Sequence, residues 1–449
     1  MMSTTMPSTT QFPGPVSTQM LEELGKYVIA TPYPFAIDLA KCKGMWLETV
    51  DGQRLFDWAG YYGSKLIGHN HPGLYESDYV ERLVRAANNK VANPDFLTEE
   101  CLAFYRMLHR LAPESMKARG SLEVYAVNSG AEAVENMMKY LVAKFNQKRF
   151  REGKVGSNRR FLYFDKAFHG RTVFALGVTQ TIDPVATKDF QGLSAMGNIK
   201  LPFPAYASEN SHAENMRNAL RALEQVEAVL TQMADEIVGI IVEPIQGAGG
   251  HRVALKEFFQ GLSELAHKYD VYLGFDEVQT GLGATGKMWG IDHFDLPHAP
   301  MAIATGKKFG SGVVYMLEPL DDIGVLDSTW GGTLADMVRV VQEVKIVEQE
   351  DLVRRAAING ERLASGLTQL VKKFAPVASN VRGLGLYQGF SLDSPERKSE
   401  LVRVAREEYG LLLLGAGKRS IRTRPNLSVT GDEIDLFIDL LDRSLTMIR

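Results

Sequence analysis

The feature of this sequence that most restricts its fold is a recurring unit: a short apolar run, a polar residue that closes it, then apolar positions at helical spacing. Residues 122–127 form such a run, and beyond Asn128-Ser129-Gly130 the side chains of Val134, Met137, Met138, Leu141, Val142 and Phe145 share one helical face. Further strand-like runs lie at 161–164, 237–242, 271–275 and 301–305. Between two of them Phe258, Phe259, Leu262, Leu265, Ala266 and Tyr269 define an amphipathic helix. Runs this apolar must be covered on both faces, so the alternation predicts an α/β fold with a mainly parallel sheet. From about Val340 the pattern changes to a long helix, short strands around 383–392, a helix near 396–409 and a last helix introduced by Thr430 and Glu433 at capping-box spacing. That is a smaller α+β unit, and a hairpin expected at 45–55, turning at Asp51-Gly52, could join it. The division is an N-terminal segment, 1–65, that joins the small unit; a large domain, 66–340; and a C-terminal small domain, 341–449. The polar stretch 146–160 reads as a surface connection, and Met1 to Gln19, rich in Ser, Thr and Pro, as a loose tail.

With 449 residues, 45% of them hydrophobic, the chain has material for a large core. Lys and Arg number 50 against 54 Asp and Glu, a formal net charge of −4, so no general positive field holds nucleic acid by its phosphates. Any anion must be held locally. Cys42 and Cys101 offer neither a disulfide framework nor a zinc site, which suggests a reducing compartment, the cytoplasm. No apolar stretch approaches the ~20 residues of a membrane span, and the tail lacks the basic and apolar regions of a signal peptide.

In open α/β sheets ligands bind beyond the carboxyl ends of the strands. The residues that follow the apolar runs are Asn128-Ser129-Gly130, Asp165, Glu243, Asp276-Glu277 and Gly306-Lys307. A lysine between a buried strand and Gly310-Ser311-Gly312 is costly unless it is bonded to something. A nucleophilic lysine points to a Schiff base with a carbonyl compound. Pyridoxal 5'-phosphate asks four things of a protein, and each has a candidate. Ser129, Gly130 and Ala131 offer backbone N–H groups at a helix start for the phosphate. Asp276 offers the carboxylate that keeps the ring nitrogen protonated. Phe168 and Val278 can pack the two ring faces, and Lys307 supplies the amine.

The motifs NSGAE at 128–132, FHGRT at 168–172, EPIQG at 243–247, FDEVQTG at 275–281, GKK at 306–308 and STWGG at 328–332 resemble those of the class III pyridoxal-phosphate aminotransferases. The similarity runs in order from about Trp46 to Leu427, and within the family it is greatest to the lysine ε-aminotransferase (L-lysine 6-aminotransferase) group. The resemblance implies a fold-type-I transferase, with a seven-stranded-type sheet and a small domain made from both chain ends. It also implies a ping-pong exchange of the terminal amino group of lysine or a similar ω-amino acid with a 2-oxo acid, favouring 2-oxoglutarate. Lys307 would form the internal aldimine and shuttle the proton, Asp276 would pair with the ring nitrogen, and Gln279 would bond the ring hydroxyl side. Gly130 and Ala131 would hold the phosphate, with Thr329 reaching it from the partner subunit of a homodimer. Arg171 and Arg422 match positions that grip the two carboxylates of 2-oxoglutarate or glutamate. Lys308 would be the bland neighbour, Glu243 a supporting residue, and His169 a packing or turn residue.

One position departs from that group. Where its members carry Glu within QGEGG or QGEAG, this chain has Ala248. In those relatives the Glu neutralises the inner arginine while an ω-amino donor is bound. Here another acid takes over, an arginine swings away, or the donor itself brings a carboxylate or an apolar group. Asp327 and Thr333, where the lysine group often carries Asn, are smaller departures. Two other patterns compete in the sequence. Residues 281–286 fit G-x-G-x-x-G, the mark of a dinucleotide-binding dehydrogenase, but Asp276-Glu277 separates the strand from the glycines and no clean helix follows. A carboxylate metal site from Glu243, Asp276 and Glu277 leaves Lys307 without a purpose.

Overall fold

Six consecutive apolar or glycine residues, Ile237–Val242, are buried along their whole length, as a strand covered on both faces must be. In the computed structural model, which describes residues 12–118, 120–154, 158–180, 197–322 and 324–449, this strand is an interior member of a seven-stranded sheet. The order across the sheet is Glu123–Val127, Gly312–Met316, Ala302–Thr305, Tyr272–Asp276, Ile237–Val242, Arg160–Phe164 and Ile199–Leu201. All neighbours are parallel except Gly312–Met316, which is antiparallel to both of its own. The α/β expectation holds, with two strands the sequence reading did not name. Gly312–Met316 was hidden because its run follows glycines that read as loop, and Ile199–Leu201 because it is only three residues long.

Helix Gly130–Arg151 crosses the sheet, and Met137 and Leu141 press on Gly274, where a Cβ would lie 3.2 Å from the Met137 sulfur. The helix runs through the start of the stretch expected to be a surface connection. Its last turn carries Lys148, Arg149 and Arg151, which suit the negative end of the helix dipole, and Arg149 pairs with Asp235 at 2.7 Å. Residues 155–157 of that stretch lie outside the described residues. The tail expectation is likewise corrected in part. Residues 1–11 lie outside the description, but Pro15–Leu24 is a helix whose first N–H groups, Val16 and Ser17, donate to Asp51 at 2.8 and 2.9 Å. That cap comes from the hairpin turn, a tertiary contact that local sequence cannot display.

The two chain ends meet. Trp46–Glu48 and Arg54–Asp57 form the expected hairpin, and Leu411–Leu412 pairs parallel to its second strand. Ala378–Leu384, Tyr387–Leu392, Leu414–Ala416 and Ser420–Arg422 make a four-stranded sheet, flanked by Leu352–Lys373, Pro395–Tyr409 and Gly431–Met447. The capping box at Thr430 and Glu433 is present. The glycine-rich segment 281–286 does not open a dinucleotide-binding helix. It packs against Leu352–Lys373, where a Cβ on Gly286 would lie 2.9 Å from Ala357 Cα. Among the described residues no helix is long and apolar enough to cross a membrane.

Trp58 fastens the two ends, being fully buried and stacked on Phe437 at 3.8 Å. Trp58→Ala is expected to lower equilibrium unfolding stability by about 3–5 kcal/mol. Phe150→Ala, at a side chain 79% exposed, should change it by about 0.5 kcal/mol or less. Denaturant titration checks both, and equal losses would contradict this account of the core.

Candidate active site

The parallel strands end at one rim, and the reversed strand Gly312–Met316 begins there. A cavity of about 570 Å³ opens at this rim. It is lined by Lys307, Asp276, Ser129, Gly130, Ala131, Phe168, Val278, Gln279, Arg171 and Arg422. Of the residues to which the resemblance gives a cofactor or substrate contact, Thr329 is the one not among those lining it. Tyr62, Glu243 and Ala248 also face it.

Gly130–Arg151 begins with Ser129 as N-cap, whose hydroxyl accepts from the Glu132 N–H at 3.2 Å, while the Ser129 carbonyl accepts from Ala133 at 2.9 Å. Among the described residues the N–H groups of Gly130 and Ala131 meet no acceptor. Both therefore stay available at the positive end of the helix dipole. Gly130 has to be glycine for a spatial reason, since a Cβ would lie 2.6 Å from Val278 Cγ1.

Asp276, at the end of its strand, is 6% exposed. Its Oδ1 accepts from the Val278 N–H at 2.9 Å, and its Oδ2 lies 2.8 Å from Nδ1 of the buried His169. Burial favours neutral His169, but the hydrogen bond and charge of Asp276, with Glu243 adding, raise its pKa. His169 is thus more than a packing or turn residue, because its ring holds Oδ2 of a carboxylate that lines the cavity. Sequence reasoning missed this. The available signal was a histidine beside Phe168 just past a strand end. Glu243 accepts from the N–H groups of Phe168 at 3.0 Å and Gly247 at 3.3 Å, and burial pushes its carboxyl up to about 7. Glu277, the third acid of the discarded metal reading, turns the other way and accepts from Gly290 and Ile291 N–H at 3.0 and 2.8 Å.

The two adjacent lysines have different surroundings. Lys308 is 2% exposed and donates to the carbonyls of Gln279 and Gly281 at 2.8 and 3.0 Å. Lys307 lines the cavity, and its amine makes no hydrogen bond among the described residues. Burial, then the charges of Arg422, Lys308 and Arg424, pull it down to about 8, with Asp276 acting in the opposite sense.

Arg422 is not a solvated surface residue, being 8% exposed at the end of Ser420–Arg422. Its Nε and Nη1 are buried without a hydrogen-bond partner. Arg424, two residues on, is fully buried and donates to Gln279 Oε1 at 3.1 and 2.7 Å. The two-residue spacing in extended chain was the signal for this second guanidinium, which sequence reasoning passed over. Gln279 also gives an N–H to the Tyr62 carbonyl at 3.2 Å, so one amide proton remains for the cavity side.

These residues fit pyridoxal phosphate by their chemistry. Two free N–H groups at a helix start suit a phosphate, Asp276 braced by His169 suits a protonated ring nitrogen, Phe168 and Val278 suit the ring faces, and Lys307 suits the aldehyde. Comparison with known proteins agrees. The aminotransferase class-III family matches residues 28–445. An L-lysine-epsilon aminotransferase of Amycolatopsis lactamdurans is 30% identical over 452 residues, covering 98% of each chain. A 4-aminobutyrate aminotransferase of Kluyveromyces lactis is 28% identical, covering 97% of this chain and 96% of that one. The structure of lysine aminotransferase from Mycobacterium tuberculosis in the internal aldimine form superposes with a TM-score of 0.90 at 29% identity, over 96% of this chain and all of the other. The chain belongs to the class-III aminotransferases, fold-type-I enzymes that work with pyridoxal 5'-phosphate.

Proposed function

We propose that this aminotransferase moves the terminal amino group of lysine or a similar ω-amino acid to a 2-oxo acid, 2-oxoglutarate, in two successive half-reactions. Relatives that act on lysine and on 4-aminobutyrate support an ω-aminotransferase. The observation that carries the finer reading is one cavity lined by Lys307 together with Arg171 and Arg422. Guanidinium forks suit bidentate pairing with carboxylates, and a dicarboxylic acceptor brings two.

When bound, pyridoxal phosphate supplies a carbonyl for the incoming amine and a ring that drains charge from the reacting carbon. Gly130 and Ala131 would hold the phosphate by their N–H groups, and Thr329 would reach it from the partner subunit of a homodimer. Asp276, oriented by His169, would keep a proton on the ring nitrogen. Gln279 would spend its remaining amide proton on the ring hydroxyl, and Phe168 and Val278 would pack against the two ring faces. Lys307, depressed toward neutrality, would hold the aldehyde and then carry the proton from the donor carbon. Arg171 would take the donor's carboxylate, and both arginines those of the acceptor.

The lysine pKa gives a pH test. Capture of pyridoxal phosphate by apoprotein, followed by visible absorbance that borohydride removes, should accelerate about tenfold per pH unit below about 8 and level off above it. Arg422→Met removes the largest charge that disfavours the protonated amine, so the break should move upward. A rate still climbing at pH 10 in the unaltered protein would contradict the assigned environment. For the reaction, Lys307→Ala should lose at least about 10³-fold in turnover. A panel of lysine, ornithine, 4-aminobutyrate, β-alanine and aryl amines against 2-oxoglutarate and pyruvate checks the substrates. The expected optimum is lysine or another ω-amino acid with 2-oxoglutarate, and a preference for pyruvate would count against the acceptor assignment.

A further inference from the structure

Behind the cavity lies a group of buried cations with no acid paired to it among the described residues. Arg424 is satisfied by Gln279, by the Thr423 carbonyl at 2.7 Å and by His251 Nδ1 at 3.2 Å, with the Tyr387 ring 4.1 Å away. Arg382, 7% exposed, spends its N–H groups on the carbonyls of His251, Gly250 and Asn380 and on the hydroxyls of Ser391 and Ser420. Arg422 differs, with two N–H positions buried and unused at the cavity wall. Among the described residues no carboxylate lies within ion-pair distance of any of the three. Glu243, the lining acid whose charge acts on Arg422, has both oxygens engaged by the N–H groups of Phe168 and Gly247. Ala248, at the wall nearby, offers a methyl group.

Arg422 also stands at the reacting end of the cavity. A Cβ on Gly247 would lie 2.0 Å from Gln279 Oε1 and 3.1 Å from Arg422 Nη1, so the guanidinium and the ring-side amide are neighbours across one glycine. A donor that reacts through a terminal amine has only methylene groups near its reacting carbon. Its carboxylate lies at the far end and cannot reach this guanidinium. The acceptor does bring a carboxylate beside its reacting carbonyl.

We propose that Arg422 is an exchangeable site for a small monovalent anion, a carboxylate of the size of formate or acetate by preference, filled from solution while an ω-amino donor is bound and vacated for the 2-oxo acid. The inference rests on the ω-aminotransferase reading. A planar carboxylate matches the two unused N–H positions as a fork, whereas chloride meets them as a point charge. The anion neutralises a buried charge that would otherwise face methylene groups, so it aids the donor half and obstructs the acceptor half.

The test uses the protein loaded with pyridoxal phosphate, at fixed pH and at an ionic strength held with a bulky sulfonate, with acetate as probe and chloride in a parallel series. Single-turnover consumption of lysine should rise saturably with acetate, at least fivefold. The second half-reaction, run with 2-oxoglutarate on protein whose cofactor the donor has first aminated and from which the donor has been removed, should show a higher KM with kcat unchanged. Chloride should act the same way at higher concentration. With apoprotein, acetate should shift the pH break of pyridoxal phosphate capture upward, because it offsets the charge facing Lys307. Ala248→Glu and, separately, Arg422→Met should each remove the acetate dependence of both halves. Lysine consumption that ignores acetate would overturn the anion site and leave the ω-aminotransferase reading intact. Failure of lysine, ornithine, 4-aminobutyrate and β-alanine to react at any acetate concentration would overturn that reading and the anion site with it.

Discussion

A hairpin in the interior of the sheet fixes everything that faces the cavity. Ala302–Thr305 and Gly312–Met316 pair antiparallel, every residue of both is buried, and the turn between them carries Lys307. Lys307 sits in the left-handed region at φ 47°, which costs a non-glycine residue roughly 1–2 kcal/mol. The surrounding pairing holds it there, with Phe309 N–H bonded to the Gly306 carbonyl at 3.2 Å and Gly310 N–H to the Lys307 carbonyl at 2.9 Å. The same hairpin is pressed against the start of helix Gly130–Arg151. A Cβ on Gly312 would lie 2.0 Å from the Ser129 carbonyl oxygen, and one on Gly306 would lie 3.0 Å from Gly130 Cα. The Lys307 amine and the start of that helix, with its open Gly130 and Ala131 N–H groups, are therefore held in one packed unit, and the amine's freedom is that of its own side chain.

The electrostatics follow from burial in the same region. Amines and guanidiniums are pushed toward neutrality, Lys307 to about 8 and Lys308 to about 7, while Glu243 and Glu277 are pushed up to about 7. His169 goes the other way from the buried bases around it, raised by its 2.8 Å hydrogen bond to Asp276 and by that carboxylate's charge. The histidine thereby holds the Asp276 carboxylate in place at the cavity wall.

Much of this was legible in the sequence because the chemistry sits where apolar runs end. Asp276 and Glu243 immediately close such runs, and Lys307 follows one, so finding strand ends found the rim. The capping box at Thr430 was equally local. What could not be read depended on distant pairing. The strand Gly312–Met316 gains its place from hydrogen bonds on both sides, and the helix at Pro15 is capped by Asp51, far along the chain. Arg424 looked like a neighbour of Arg422, and its bond to Gln279 spans a sequence separation of 145. His169 was passed over for the same reason, since its partner Asp276 is 107 residues away.

Gln279 ties the arginines to the ring side of the cavity. Its oxygen is committed to Arg424, one N–H to the Tyr62 carbonyl, and its backbone carbonyl receives Lys308. Tyr61 and Tyr62 both take positive φ, at 49° and 63°, so the segment that accepts from Gln279 is itself a strained turn, braced where Asp57 accepts from the Ala59 and Gly60 N–H groups. A change of charge at Arg422 is therefore felt through Arg424 and Gln279 at the position expected to face the ring hydroxyl. Lys308 looks inert beside Lys307 in the sequence, but its ammonium holds the backbone from which that amide projects. Two adjacent lysines divide the work because the left-handed turn points one into the cavity and the other into the wall.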